Sequence, residues 1–175
     1  MTNKCETRIN AHLESRLEDL NTLWSAYTNA GGECPECEGE GDIFDTGLDD
    51  YRKCPMCDGN GTLDEEGRVE DLGNMFDYGL AFDYVAPETF DDQEEGYFRY
   101  QLSWGGPSDE FRVFADKRDR WNWSVYRVTY NFMDWFDGAE RRLYGTEREL
   151  LETIFQSFFA VCGTANHVYE QAIED

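Results

Sequence analysis

The chain has 175 residues, of which 40% are apolar and 15% aromatic, enough for a packed core in one domain with a small subdomain. Its 38 acidic and 15 basic residues give a formal net charge of -23 at pH 7. Because this charge repels bare DNA, RNA and anionic membranes, the composition argues against direct nucleic acid or membrane binding and favours a basic protein partner.

The acidic residues are concentrated in the middle of the chain. Residues 31–98 hold 21 acids and three bases, a net charge of -18, whereas residues 99–175 carry a net charge of -4. A block of this kind is typical of a solvated surface or of an interaction surface.

The first segment, residues 1–32, predicts one amphipathic helix. Between residues 5 and 29, apolar side chains recur at three- and four-residue steps, which is the period of a helix face. These side chains are Ile9, Leu13, Leu17, Leu20, Trp24 and Tyr27. Gly31 and Gly32 then end the helix.

Neither this segment nor any other predicts a membrane location. No stretch approaches the roughly 18 to 20 apolar residues of a membrane span, and MTNKCETRINAHLESRLEDL lacks the apolar run of a secretory signal. We therefore expect a cytoplasmic protein, in which four of the six cysteines are metal ligands rather than disulfide partners.

The second segment, residues 33–62, contains the phrase C-P-x-C-x-G-x-G twice, as CPECEGEG and CPMCDGNG. The spacing C-x2-C-x16-C-x2-C is that of a zinc site, because two C-x-x-C turns supply opposite pairs of thiolates to a tetrahedral ion. The predicted ligands of one structural Zn²⁺ are Cys34, Cys37, Cys54 and Cys57. An iron site of the rubredoxin type and a redox pair of thiols are the alternatives.

Other features of this segment support a structural role. Four thiolates leave no open coordination position for water or substrate. Glycines follow each pair at fixed offsets and allow the chain to turn back through positive φ near the sulfurs. Between the phrases, DIFDTGLDDYRK predicts a short hairpin. Cys5 and Cys162 have no comparable context and are predicted to be core thiols.

The third segment, residues 63–96, is an acidic connection. A short helix is predicted near residues 70–76, and the remainder is expected to be irregular. Its aromatic residues argue against full disorder, because disordered chains normally lack them.

The fourth segment, residues 97–175, predicts a β-meander followed by helix. Alternation in YFRYQLSW, a return in EFRVFAD and a third run in WNWSVYRVTYNFM indicate three strands. Thr146 and Glu149 form a T-x-x-E capping box at the start of the C-terminal helix, Gly163 ends it, and residues 164–173 predict a short final helix. The predicted fold class is α+β: a small antiparallel three-stranded sheet packed by N- and C-terminal helices, with an inserted zinc-knuckle subdomain.

The repeated C-x-x-C-x-G-x-G phrase resembles the cysteine-rich zinc domain of DnaJ-type co-chaperones. That family carries four such repeats and binds two zinc ions, so the two repeats in residues 34–61 correspond to one half. The resemblance implies zinc ligation by the four cysteines on β-hairpin knuckles. The chain has no J-domain and no His-Pro-Asp tripeptide, so the resemblance carries little of the chaperone function. The stretches YFRYQLSWGGPSDEFRVF and FMDWFDGA look like uncharacterised proteins of phages and mobile elements.

Two loops combine tryptophan with acidic residues, SWGGPSDEF and DWFDG. Carboxylates pair with arginine and aromatic rings attract cations, so these loops and the acids of the zinc segment are predicted to bind a basic partner. The predicted partner-binding residues are Glu36, Glu38, Glu40, Asp42, Asp45, Asp49, Asp50, Trp104, Asp109, Asp134 and Asp137.

No catalytic motif accompanies these residues. His12 and His167 have no motif around them, and no phosphate-binding loop, dinucleotide fingerprint or metalloprotease helix occurs. We predict a non-enzymatic protein. The enzymatic alternative is an unrecognised Mg²⁺ site formed by four acids, Asp109, Glu110, Asp134 and Asp137.

Two functional hypotheses follow. The first is a zinc-stabilised acidic inhibitor from a phage or mobile element, acting in the host cytoplasm, which imitates nucleic acid and blocks a nuclease, restriction enzyme or CRISPR effector. The second is a DnaJ-like zinc-dependent chaperone or adaptor that binds unfolded polypeptide.

Overall fold

The computed structural model describes residues 4–119 and 122–174. Residues 1–3 of the first predicted segment and residues 120, 121 and 175 of the fourth, including the tryptophan that begins the third predicted strand, lie outside this range. The chain divides into two compact units: the cysteine unit, Ser15–Tyr78, and the sheet unit, Met1–Glu14 with Gly79–Asp175. Helix α1, Lys4–Thr28, confirms the predicted N-terminal helix and contributes residues to both units.

The cysteine unit has its own small core and a two-stranded sheet. The predicted hairpin is confirmed as β1, Asp42–Asp45, paired antiparallel with β2, Asp50–Lys53. The buried apolar side chains of this unit, apart from the cysteines, include Leu17, Leu20, Leu23, Met56, Leu63, Val69 and Met75. The helix predicted near residues 70–76 is wrong, because a tight turn in which Val69 and Gly73 exchange backbone hydrogen bonds takes its place.

The sheet unit contains a five-stranded antiparallel sheet in sequential order. Its strands are β3 (Ala81–Val85), β4 (Tyr97–Ser103), β5 (Ser108–Lys117), β6 (Trp123–Asp134) and β7 (Asp137–Arg142). The three predicted strands are present as β4 to β6, but the prediction of a three-stranded sheet is wrong. Strand β3 extends it along β4 and β7 extends it along β6, so residues predicted as connection and loop pair as edge strands.

One face of this sheet forms the aromatic core of the sheet unit. Phe82 stacks on Phe159 with ring centroids 3.8 Å apart, and Phe98 lies 5.0 Å from Phe155. Phe155 and Phe159 lie in a π-helical turn, Phe155–Ala160, that continues α2, Gly145–Ile154. On the same face, His12 of α1 stacks on Phe132 at 4.2 Å.

The C-terminal helices differ from the prediction at one point. No side chain caps the start of α2, where Tyr144 occupies the cap position, so the predicted capping box of Thr146 and Glu149 does not form. Gly163 has a φ of 80° and separates α2 with its π-helical turn from α3, Thr164–Glu174, which confirms the predicted stop and final helix. None of the described helices is long and apolar enough to cross a membrane.

Candidate metal centre

Each cysteine phrase folds into a knuckle: the first knuckle is residues 34–41 and the second is residues 54–61. Each knuckle donates an equivalent backbone hydrogen bond to the other. The amide of Cys34 donates to the carbonyl oxygen of Gly61 at 2.9 Å, and the amide of Cys54 donates to that of Gly41 at 2.8 Å. Exchanging the two phrases converts one hydrogen bond into the other. The backbone around the cysteines therefore has an approximate twofold symmetry.

Gly41 and Gly61 lie where the knuckles touch. Their φ angles are 85° and 76°, in a region that side chains rarely adopt. A Cβ on Gly41 would lie 2.5 Å from the carbonyl oxygen of Gly59, and a Cβ on Gly61 would collide in the same way with that of Gly39. Both the backbone angle and the available space therefore require glycine at these two positions.

The four cysteine sulfurs converge on one buried point. All four lie within 4.8 Å of one another. The Sγ atoms of Cys34 and Cys54 are 3.8 Å apart, and those of Cys37 and Cys57 are 3.7 Å apart, too far for disulfides of about 2.05 Å. A tetrahedron of sulfurs about 2.3 Å from a central ion has edges of about 3.8 Å. The cluster can therefore hold a metal ion and is compatible with zinc.

Backbone amides face two of these sulfurs. The Gly41 amide donates to Cys37 Sγ at 3.2 Å, and the Gly61 amide donates to Cys57 Sγ at 3.3 Å. Although burial opposes the shift, the Gly41 amide and the neighbouring thiols lower the pKa of Cys37. Backbone amides that donate to the sulfurs in this way would spread the negative charge that four thiolates bring to one ion.

The other two thiols show why a cation suits this site. Burial raises the pKa values of Cys34 and Cys54, so burial alone favours their neutral forms. A bound cation reverses this preference, because a coordinating thiol loses its proton. With all four positions taken by sulfur, the set closes the coordination sphere and suits a structural rather than a catalytic ion.

The remaining cysteines are placed differently from each other. Cys5 is fully buried in α1, as predicted for a core thiol, and burial raises its pKa. Cys162 is exposed, so the prediction of a core thiol is wrong at that position. It lies in the turn after the π-helical segment, whose apolar side chains face the sheet while this position faces solvent.

Most of the predicted partner-binding acids are exposed on the cysteine unit. Exposed positions are Glu36, Glu38, Glu40, Asp42, Asp49 and Asp50. Asp45 is half-buried and pairs with Arg52 at 3.0 Å. Among the described residues, no basic side chain forms an ion pair with the three glutamates of the first knuckle.

The second knuckle carries much less net charge. Its one acidic side chain, Asp58, pairs with Lys53 at 2.7 Å. Where the first knuckle has an exposed Glu36, the second has Met56, which is only 6% exposed and packs inward. The negative surface therefore belongs mainly to the first knuckle and the β1–β2 hairpin.

The predicted acids of the sheet unit are engaged within that unit. Asp109 is 2% exposed and accepts hydrogen bonds from Tyr130 at 2.7 Å and from Ser103, so it does not lie on an exposed loop. Arg8 donates to Asp134 at 2.6 Å. The amide of Cys5 donates to the carboxylate of Asp137 at 2.9 Å and holds its pKa below the ordinary value.

The alternative Mg²⁺ site is not assembled. Asp109 and Glu110 are neighbours in β5, so their side chains point to opposite faces of the sheet. Within the residues that the structure describes, the four cysteines are the one group of three or more histidine, cysteine or acidic side chains close enough to hold a metal ion.

The two predicted tryptophan loops do meet at a cavity of about 710 Å³ in the sheet unit. Trp104 and Trp135 both line it and are 78% and 84% exposed. Arg99 and Arg112 also line this cavity, although neither is among the predicted partner-binding residues. The sequence does contain a signal for these two arginines, because each lies between two buried apolar residues along a predicted strand.

Comparison with known protein families, with curated proteins and with solved structures found no match for this chain. Two resemblances, to the DnaJ-type zinc domain and to proteins of mobile elements, therefore rest only on the residues quoted for them. Of those residues, the structure brings the four cysteines together in one cluster.

Proposed function

We propose that the chain is a non-enzymatic acidic binding protein, in which one zinc ion held by four cysteines fixes a negative surface that blocks a basic, nucleic-acid-binding partner. The observation that carries this proposal is the first knuckle. Glu36, Glu38 and Glu40 are exposed and have no basic partner among the described residues, on a turn held between Cys34 and the β1–β2 hairpin.

The charge of the cysteine unit supports this role. Residues 15–78 hold 17 acids and four bases, a net charge of -13, and a Zn²⁺ with four thiolates adds a further -2. A concentrated field of one sign attracts the opposite sign and speeds association. Carboxylates accept paired hydrogen bonds from arginine as phosphates do, so a fixed array of them can occupy a groove built for nucleic acid.

The class of partner follows from this chemistry. A Lys/Arg groove of a nuclease, a restriction enzyme or a CRISPR effector is the surface that a fixed carboxylate array fits. The corresponding biological role is that of an inhibitor of the anti-restriction or anti-CRISPR type encoded by a phage or mobile element, acting in the host cytoplasm without binding nucleic acid itself.

The test measures DNA binding by a panel of nucleases, restriction enzymes and Cas effectors with and without the full-length protein. We expect at least one effector to lose DNA binding at about 50 mM NaCl and to recover part of it at about 300 mM, because salt screens the contact. Metal analysis of the same preparation should give one zinc per chain. Unchanged DNA binding by every effector would contradict the proposal.

A matched pair of variants distinguishes the effect of the charge on the first knuckle from the effect of the total charge of the protein. Glu36→Gln, Glu38→Asn and Glu40→Gln together remove three charges from the first knuckle, and inhibition should fall at least about tenfold. The control removes three charges from an exposed loop of the sheet unit at Glu88, Asp91 and Asp92. If both triple variants inhibit equally well, the first knuckle is not the contact.

A second candidate function is a zinc-dependent chaperone or adaptor. The observation that favours it is the β1–β2 hairpin, where Phe44, Leu48 and Tyr51 are 50%, 71% and 70% exposed. Exposed apolar side chains on a rigid hairpin can bind unfolded polypeptide. This function requires suppression of aggregation of an unfolded test protein, and loss of that activity on Leu48→Ser. A preparation that suppresses no aggregation would eliminate the candidate.

A further inference from the structure

The cavity of the sheet unit lies on the sheet face opposite the aromatic core and is lined by charged side chains. Strand alternation places Arg99, Glu110 and Arg112 on this face, with Gln101 and Asn131 as cross-strand neighbours of Glu110. Glu110 is only 3% exposed although it lines the cavity. A buried carboxylate at the base of a cavity is costly unless it has partners, so its contacts define what the cavity can bind.

The contacts of Glu110 leave one oxygen for a ligand. Arg112 Nε donates to Glu110 Oε1 at 2.6 Å, and the described residues provide no hydrogen bond to the other carboxylate oxygen. Arg112 is itself held over the ring of Tyr97, 4.8 Å from its centroid, and keeps further N–H groups beyond the one that Glu110 accepts. Glu110 and Arg112 therefore form a floor of the cavity that presents a carboxylate acceptor beside guanidinium donors, and both groups are held in place before any ligand binds.

The charges at the floor of the cavity nearly cancel, because each of its two arginines is paired with a carboxylate. The second arginine, Arg99, donates to both carboxylate oxygens of Asp83, with Nε at 3.0 Å and an Nη at 2.5 Å. Each guanidinium thus has its own carboxylate. A neutral floor with a donor and an acceptor side by side suits an uncharged ligand with the complementary pair of groups, rather than a bare cation or anion.

The rim consists of exposed aromatic side chains at the ends of strands. Trp104 begins the β4–β5 turn, and Trp135 lies in the two-residue β6–β7 turn with a φ of 57°. Bulky residues rarely adopt this angle, and hairpin turns usually place asparagine or glycine there. A Cβ on Gly106 would lie 3.0 Å from Trp135 Nε1, so a glycine accommodates the indole. Backbone strain of this kind clusters at binding and active sites.

These features together define a class of ligand. Exposed indoles stack on planar rings, and a carboxylate beside a guanidinium pairs with an edge that carries an N–H next to a carbonyl. A cavity of about 710 Å³ is in the range of small-molecule sites. We propose that this cavity binds a small planar heterocycle of the nucleobase type, stacked on Trp104 and Trp135, with an N–H/carbonyl edge on Glu110 and Arg112.

Such a base comes either from a free nucleoside or from an unpaired position in nucleic acid. The net charge of -23 favours the free ligand, because it repels a polyanion. The test titrates the full-length protein with inosine and uridine by calorimetry and tryptophan fluorescence, beside 1-methylinosine, 3-methyluridine and an oligouridine. We expect saturable one-to-one binding of the nucleosides and at least about fivefold weaker binding of the N-methylated forms, which lack the N–H donor.

Variants locate the site. Trp104→Ala and Trp135→Ala should each weaken nucleoside binding by about fivefold to 100-fold, the usual effect of losing a stacking ring. Phe136→Ala is the matched control, because Phe136 shares the turn with Trp135, is fully exposed and does not line the cavity. Glu110→Gln should weaken inosine and uridine more than it weakens their methylated forms.

Three outcomes would overturn the proposal. These are no saturable binding of either nucleoside up to about 10 mM, equal binding by the two tryptophan variants and the Phe136 control, and tighter binding of oligouridine than of uridine. The tryptophan variants keep the test decisive if Glu110→Gln does not fold, because both indoles are exposed.

Discussion

Glycines in the cysteine unit share positive φ angles but differ in their surroundings. Gly31 has a φ of 74° and no atom near the place of a Cβ, whereas the Cβ of Gly41 would meet the backbone of the opposite knuckle. A side chain at Gly31 therefore costs backbone strain alone. At Gly41 it also forces the knuckles apart and displaces the sulfurs that they carry.

We predict that Gly31→Ala lowers the free energy of unfolding by about 1–2 kcal/mol and leaves zinc affinity unchanged. Gly41→Ala should cost more than this and should lower zinc affinity at least about tenfold, because the carbonyl of Gly59 must move. Chelator competition measures the affinity, and thermal unfolding in excess zinc measures the stability. Equal zinc affinity in the two variants would show that the close approach is not required.

Asp137 acts at the start of α1, where its carboxylate accepts the amide of Cys5. This hydrogen bond lowers the pKa of Asp137 from 3.8, so the stabilisation is fully present above pH 3.8 and is lost as the pH falls through the lower folded-state value. We predict that Asp137→Asn destabilises the sheet unit at pH 6 and that the difference from the natural chain shrinks below pH 3.8. Urea unfolding across this range measures it, with the exposed Glu140→Gln as control.

Residues with a local pattern were predictable from sequence, and residues with distant partners were not. The cluster of four cysteines follows from the spacing of two short phrases. The burial of Asp109 depends on Tyr130, which is 21 residues away and reaches the carboxylate only because β5 and β6 pair. The same holds for Glu110, whose neighbour in the chain is buried on the other face.

Among the elements, the strands with the strongest alternation were predicted and the two edge strands were missed. Strand β7, DGAERR, contains no β-branched or aromatic residue and owes its conformation to pairing with β6. Strand β3, AFDYV, has the alternation but is short and lies in an acidic region that argued for a connection. Tertiary pairing therefore overrides local propensity at both edges.

We predict that zinc removal loosens the knuckles while the five-stranded sheet stays intact. The cysteines hold only residues 34–57 to one another, and the aromatic contacts of the sheet lie within the other unit. Hydrogen exchange should speed up in residues 33–62 on chelation or on Cys54→Ser, with β4 to β6 still protected. Cys162→Ser is the control, because this thiol is exposed and outside the cluster. Simultaneous loss of protection in both units would refute this separation.

At the scale of the whole molecule, the net charge of -23 opposes folding through self-repulsion. Added salt screens this repulsion, so we predict that the melting temperature rises between about 10 mM and 500 mM NaCl. The knuckle variant with three neutralised glutamates should gain less from salt, because it begins with less repulsion. A melting temperature that falls with salt would mean that ion pairs such as Arg127–Glu95 outweigh the repulsion.

The twofold symmetry of the knuckles separates two traits that one short segment must combine. Positions 36, 38 and 40 carry three glutamates, whereas positions 56, 58 and 60 carry methionine, aspartate and asparagine on an equivalent backbone, with Glu38 and Asp58 both at a φ of 50°. The second phrase thus shows other residues that the same backbone accepts at the positions of the three glutamates. Surface chemistry can diverge on one copy while both copies keep the arrangement of the four cysteines, so this small duplicated element can change its surface without losing its fold.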